Sequence, residues 1–252
     1  MGVFSGPADW WTDGTNEGRT HIATKGVIQD GIVLNLDAGA STSYPGSGTS
    51  WSDLSGNSNT GTLVNGVGYD SGNGGALSFD GVNDYVSISS GASSINSLNI
   101  SVGCWVFQNN IHTSSSFDDI KSLVQIGISE IGNNSCFYLH LRESKVYFRY
   151  QKGQNLAQLS PGIIQEANTW HYYTGVSNNS SILLYKDGVL VGSTPYTISF
   201  SSLVNTNVDI GKTGGYTNYI NGNIAQVSIY NRALTASEVQ QNFNALRGRF
   251  GL

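Results

Sequence analysis

The feature that most limits what this chain can fold into is a long succession of short apolar runs closed off by turn residues. They cover residues 32–37, 61–67, 76–79, 85–88, 99–108, 122–128, 136–141, 145–150, 170–177, 181–186, 189–195, 207–210 and 224–230. Each is bounded by Gly, Asn, Asp or Ser, and many alternate apolar with polar residues, the period of a strand with one buried face. No helical pattern separates them. About a dozen short strands in sequence, joined by turns, predict an antiparallel two-sheet sandwich. Lys186-Asp187-Gly188-Val189 predicts one tight hairpin, because Asp-Gly accepts the positive φ that a two-residue turn requires.

The exception to this pattern lies near the C-terminus. Thr235 and Glu238 have the spacing of a capping box, and Leu234 stands where it can staple against Val239. Val239, Phe243 and Leu246 share one face, so a short helix is expected over 236–246, stopped by Gly248 and covering an end of the sandwich. The tail after it, Arg247 to Leu252, is either a contact strip or a frayed end.

Composition narrows the function classes. Charged residues make up 12% and glycines number 32, so turns and β-friendly side chains dominate. A net charge of −5 with no basic run argues against nucleic acid. No apolar run reaches membrane-spanning length, and residues 1–7 have neither the basic nor the apolar region of a signal peptide. Synthesis in a reducing cytosol is the expectation. Cys104 and Cys136 both sit in apolar strand patterns, as buried free thiols or as a cross-strand disulfide. Residues 1–30 carry little periodicity and form an expected N-terminal arm. Trp10 and Trp11 are adjacent there and cannot both face one core, so they are candidates for docking onto a partner.

"FDGVNDYV" at 79–86, "LYKDGVLVG", "GNIAQVSIYNRALT" and "NFNAL" resemble the concanavalin A-like, laminin G-like jelly roll. The resemblance covers residues 31–246 and implies an all-β, antiparallel two-sheet jelly-roll sandwich over 31–252. Such a fold hosts lectins, hydrolases and structural modules alike, so function has to be argued from residues. The resemblance also implies a structural Ca²⁺ between the opening and last strands. Asp37 would supply oxygen to it, but Gln226 stands where relatives often have Asp, which weakens that expectation.

Enzymatic chemistry finds little support. Laminarinase-type relatives carry two Glu and an Asp at alternating positions of one strand, which places two carboxyls about 5–5.5 Å apart. The five glutamates, Glu17, Glu130, Glu143, Glu166 and Glu238, have no acidic neighbour at that spacing. His21, His112, His140 and His171 have no nucleophile elbow to serve. Asp80, Asn83 and Asp84 form a second oxygen cluster that a cation could use, and read first as an Asx-type turn fixing the loop between two strands. Sugar recognition needs aromatic platforms beside amides and carboxylates. Trp51 with Asp53 and Asn57, and Tyr216, Asn218 and Tyr219 with Asn221, meet that requirement in loops.

The segments "YPGSGTSWSDLSGN", "GTLVNG" and "NFNALRGRFGL" are similar to those of structural proteins of tailed bacteriophages, notably of marine cyanobacteria. This resemblance implies a non-enzymatic virion surface protein: a capsid decoration, neck or tail-fibre component, made in the host cytoplasm and oligomeric in the assembly. Its partners would be other virion proteins and cell-surface glycans. A carbohydrate-binding lectin, calcium-assisted or not, is the alternative, and a glycoside hydrolase the third reading.

Overall fold

The computed structural model describes residues 26–252 apart from 90, 96–97, 117–118, 128–134, 153–155, 198–202, 204–205 and 215–217. In chain order the first strands are β1 (Ile32–Asp37), β2 (Ser50–Trp51), β3 (Gly61–Val64), β4 (Gly68–Asp70), β5 (Ala76–Asp80) and β6 (Tyr85–Ile88). Next come β7 (Asn99–Gln108), β8 (Lys121–Ile126), β9 (Ser135–Arg142), β10 (Lys145–Lys152), β11 (Leu156–Leu159) and β12 (Ile163–Ile164). The last are β13 (Trp170–Asn178), β14 (Ser181–Lys186), β15 (Val189–Pro195), β16 (Val208–Ile210), β17 (Lys212–Thr213), β18 (Asn218–Tyr219) and β19 (Asn221–Tyr230). One helix, α1 (Ala236–Leu246), follows.

The strands form two antiparallel sheets. One is eight-stranded, in the order β15-β14-β13-β7-β19-β5-β4, with β1 also paired to β19. The other is nine-stranded, in the order β11-β10-β9-β8-β16-β6-β3-β2, with β12 also paired to β10. A small β17–β18 ladder stands apart. The expected all-β sandwich with a short C-terminal helix is the observed fold.

Alternation decides what enters the core. In β9, Phe137, Leu139 and Leu141 face inward while Tyr138 and His140 take the other side; in β10, Val146, Phe148 and Tyr150 face inward. The eight-stranded sheet answers with Leu34, Phe79, Val102, Cys104 and Tyr173. The sheets come close at Gly175, where a β-carbon would overlap the Phe148 ring. The Asp187-Gly188 hairpin has the expected geometry, with φ of 50° and 80°. Cys104 and Cys136 are buried free thiols in different sheets, so the disulfide alternative does not hold. Burial pushes the Cys104 thiol up.

Helix α1 begins with the capping box: Thr235 Oγ1 accepts from Glu238 N at 3.3 Å and Glu238 Oε2 accepts from Thr235 N at 2.8 Å. Arg232 pairs with Glu238 at 2.7 Å and, as the largest cause, holds its carboxyl down at about 2. The helix lies on the outer face of the eight-stranded sheet. Gly248 does not stop it: the chain passes at Arg247 into a 3₁₀ turn, Arg247–Phe250, and Gly251 takes the left-handed φ of 73°. That turn delivers Phe250 onto Trp105, with ring centroids 4.2 Å apart. Val27 and Ile28 already pack against the Tyr230 and Val239 cluster, so ordered packing starts before residue 31. Trp10 and Trp11 lie outside the described residues.

Candidate functional site

A cleft of about 200 Å³ opens at one end of the sandwich. Five chain segments converge there: the β5–β6 turn, the loop after β7, the start of β8, the end of β9 and the start of β19. Asp80, Gly81, Asn110, Ile111, His112, Lys121, Leu141, Ile220 and Asn221 line it. Leu141 and Ile220 are buried, while Ile111 is exposed at the rim.

Each polar side chain is placed by a local device. Asp80 closes β5 with an Asx turn, accepting from Val82 N at 2.8 Å and Asn83 N at 3.3 Å. The Val82 amide is the largest of the influences that hold its carboxyl below the usual carboxylate range. Gly81 turns with φ of 80° against the Asn221 side chain. Asn109 fixes the loop after β7 to β19, donating from Nδ2 to Asn221 Oδ1 at 2.6 Å.

His112 is clamped from two sides. Its backbone N donates to Gln165 Oε1 at 2.8 Å, and its Nε2 lies 2.6 Å from the Asp119 carbonyl. A carbonyl only accepts, so Nε2 carries the hydrogen and Nδ1 of the neutral ring presents a lone pair. Burial lowers the His112 pKa, with the Asp119 contacts opposing and Lys121 adding to the fall. The imidazole is therefore neutral near pH 7. Lys121 Nζ donates to the Tyr219 carbonyl at 3.2 Å, and among the described residues no carboxylate lies within ion-pair distance of it. Tyr219 and Tyr85 stand beside the cleft, half-buried, with ring centroids 6.3 Å apart, and Lys212 Nζ lies 4.3 Å from the Tyr85 ring centre. The arrangement offers amide, carboxylate, imidazole and ammonium groups over an apolar floor, which suits a small polyhydroxylated ligand.

The sequence-predicted residues divide. Asn218 and Tyr219 form β18 next to the cleft, and Asn221 lines it. Tyr216 lies outside the described residues. Trp51 is fully buried in the main core, so it offers no stacking face. Pairing of Ser50 and Trp51 with Thr62 and Gly61 turns an expected loop into a strand and draws the indole inward. Its companion Asp53 is structural, accepting from Asn35 N at 2.9 Å and Asn59 N at 3.0 Å. Sequence reasoning did not single out Asn110 or Lys121, and it read Asp80 and His112 as local structure. For Asn110, the polar Asn109-Asn110 pair that ends an apolar strand is the local signal that could have found it.

The calcium expectation fails on the residues present. Asp37 Oδ1 accepts from Arg249 Nη1 at 2.7 Å, and the same guanidinium donates to the Gly75 and Asn73 carbonyls at 2.9 and 3.3 Å. The Gln226 side chain is engaged elsewhere, its Nε2 donating to Asn35 Oδ1 at 3.0 Å. An arginine thus fills the oxygen cradle that a cation would need. Among the described residues no three His, Cys, Asp or Glu are grouped to hold a metal.

His171 and His140 have partners within the sheets, and His21 lies outside the described residues. His171 Nδ1 lies 2.8 Å from Asp187 Oδ2, and its Nε2 lies 3.4 Å from Glu166. His140 is wholly buried, stacked on Tyr147, with both ring nitrogens unpartnered.

Residues 79–240 match the model of Laminin_G_3, the concanavalin A-like lectin/glucanases superfamily. That is well over half of the chain, and the chain belongs to this family. No curated protein sequence matches it. Among solved structures, domain 4 of AbnA, an extracellular GH43 arabinanase from Geobacillus stearothermophilus, in complex with arabinotriose, is 17% identical with a TM-score of 0.65. The match covers 84% of this chain and 97% of that one. The binding domain of botulinum neurotoxin DC in complex with SialylT is 14% identical with a TM-score of 0.68, over 86% of this chain and 52% of that one. A structure described by the dependence of botulinum neurotoxin type C cell entry on two ganglioside molecules gives 14% and 0.68, over 87% and 52%. This chain thus spans about half the length of those toxin chains. At these identities the likeness is one of fold. None of the three is a phage protein, so a virion role rests on the sequence resemblance alone.

Proposed function

We propose that the protein is a non-enzymatic carbohydrate-recognition domain whose binding site is the cleft at the end of the sandwich. The observation that carries this reading is the convergence of Asp80, Asn110, His112, Lys121 and Asn221 on one cleft beside Tyr219. Such groups hydrogen-bond hydroxyls in several directions, and an adjacent tyrosine supplies apolar contact to a sugar ring. The arabinotriose and ganglioside named for the structural neighbours support a carbohydrate partner.

The same residues argue against glycoside hydrolysis. Glu143 is paired with Arg142, Glu166 with Lys186 and Glu238 with Arg232. Asp84, whose pKa is raised chiefly by desolvation, is not a lining residue; its Oδ2 accepts from the Asp80 backbone N at 3.2 Å. Among the described residues the cleft is therefore lined by one carboxylate, Asp80, where a hydrolase needs an acid and a second carboxyl.

The resemblance to phage structural proteins supports display on a virion surface as the setting, with the arm bearing Trp10 and Trp11 as the docking segment. Deleting residues 1–26 should abolish incorporation into particles while leaving a folded domain; normal incorporation would contradict the arm's role.

The binding reading is tested with a glycan array probed by the wild-type protein and by an Asn110→Ala/Asn221→Ala variant of unchanged melting temperature. Selective binding that the variant loses is the expected result. Silence from folded wild type, or binding indifferent to both substitutions, overturns it.

A further inference from the structure

We infer that the cleft selects acidic sugars, binding a uronate or sialate carboxylate at the Lys121 ammonium. This rests on the carbohydrate-recognition reading and narrows its ligand class. The argument starts from charge. The protein carries a net charge of −5, and four of its cations are paired with carboxylates: Arg142 with Glu143, Lys186 with Glu166, Arg232 with Glu238 and Arg249 with Asp37. Lys121 breaks the pattern. Among the described residues its Nζ makes one hydrogen bond, to a neutral carbonyl, which leaves two donors for the cleft it lines. A half-buried ammonium without a counter-ion favours an anion, and a carboxylate there gains a charge-assisted hydrogen bond.

The opposing charge in the cleft does not cancel this preference. The Asp80 carboxylate is held by the backbone N–H groups of Val82 and Asn83. It is left to accept from sugar hydroxyls at the other wall. Asn110 makes no side-chain hydrogen bond among the described residues and can serve either ring hydroxyls or the carboxylate. His112 presents Nδ1 as an acceptor while neutral; a bound carboxylate nearby favours its protonated, donating form. Acidic ligands should therefore bind more tightly as pH falls through the imidazole range, with Asp119, Lys121 and the His140 imidazole the titratable and charged groups that face the ring.

The experiment is calorimetric titration with matched pairs, galacturonate against galactose oligosaccharides and sialyllactose against lactose, plus a polyglutamate peptide. The acidic sugar of at least one pair should bind about tenfold tighter than its neutral partner at low ionic strength, with the gap narrowing in salt. Lys121→Gln should close the gap, and Lys121→Arg should retain most of it. Equal affinity within every pair, or a gap that survives Lys121→Gln in a folded protein, overturns the inference while leaving sugar recognition standing. Preference for polyglutamate over every sugar overturns the sugar source of the carboxylate. Failure of all sugars overturns the underlying reading as well.

Discussion

Arg249 Nη1 donates to Asp37 Oδ1 at 2.7 Å, joining the C-terminal turn to the first strand across 212 residues of chain. With the Gly75 and Asn73 carbonyls on its other nitrogens, the guanidinium acts as a resident cation in an oxygen cradle.

Arg249→Ala should therefore lower stability by about 2 kcal/mol, since it strands a partly buried carboxylate and two carbonyls. For a domain of this size that corresponds to a fall in melting temperature of roughly 4–8 °C. Wild type should melt at the same temperature in calcium and in EDTA. A calcium-dependent rise in the wild-type protein would contradict the cradle's assignment.

His140 makes stability fall in acid. Burial, then Arg149 and Arg142, hold its pKa down at about 3, far below its ordinary value of 6.5. The folded state keeps the ring neutral while the unfolded state takes up a proton below pH 6.5. Stability is thus full above 6.5 and lost as pH falls toward 3, by at most about 1.4 kcal/mol per pH unit. His112, also lowered, contributes with the same sign. His140→Phe keeps the stack on Tyr147 and removes two unpartnered nitrogens. Denaturant midpoints at about pH 7 and pH 5 should draw together in that variant. An unchanged difference would show that other groups set the acid sensitivity.

Phe250 seals the outer face of the eight-stranded sheet. Its ring lies 4.2 Å from Trp105 and 4.6 Å from Trp170, centroid to centroid. Phe250→Ala should cost about 3 kcal/mol and shift tryptophan emission to the red. Loss of stability without the spectral change would mean that the turn does not cover these indoles.

Much of the fold was legible because its signals are local. The Asp187-Gly188 turn needs two residues with positive φ, and Thr235 with Glu238 needs three-residue spacing; both can be read from adjacent letters. Strand alternation in Phe137, Leu139 and Leu141 is equally local. The site was only partly legible because long-range pairing builds it. Lys121 meets Tyr219 across 98 residues, and Asn109 meets Asn221 across 112. Trp51 shows the converse: its polar, turn-rich surroundings read as an exposed loop until pairing with Gly61 places it in the core. Gly248 looked like a helix stop because glycine commonly ends helices, but packing of Phe250 on Trp105 carries the turn past it.

The central claim is that sugars bind at the end cleft, and amide chemical-shift mapping tests it most directly. Isotope-labelled protein would be titrated with the tightest glycan from the array. The account predicts shifts concentrated at Asp80 to Asn83, Asn109 to His112, Lys121 and Asn218 to Asn221. Saturable shifts clustered elsewhere on the sandwich, with these residues unmoved, would contradict it.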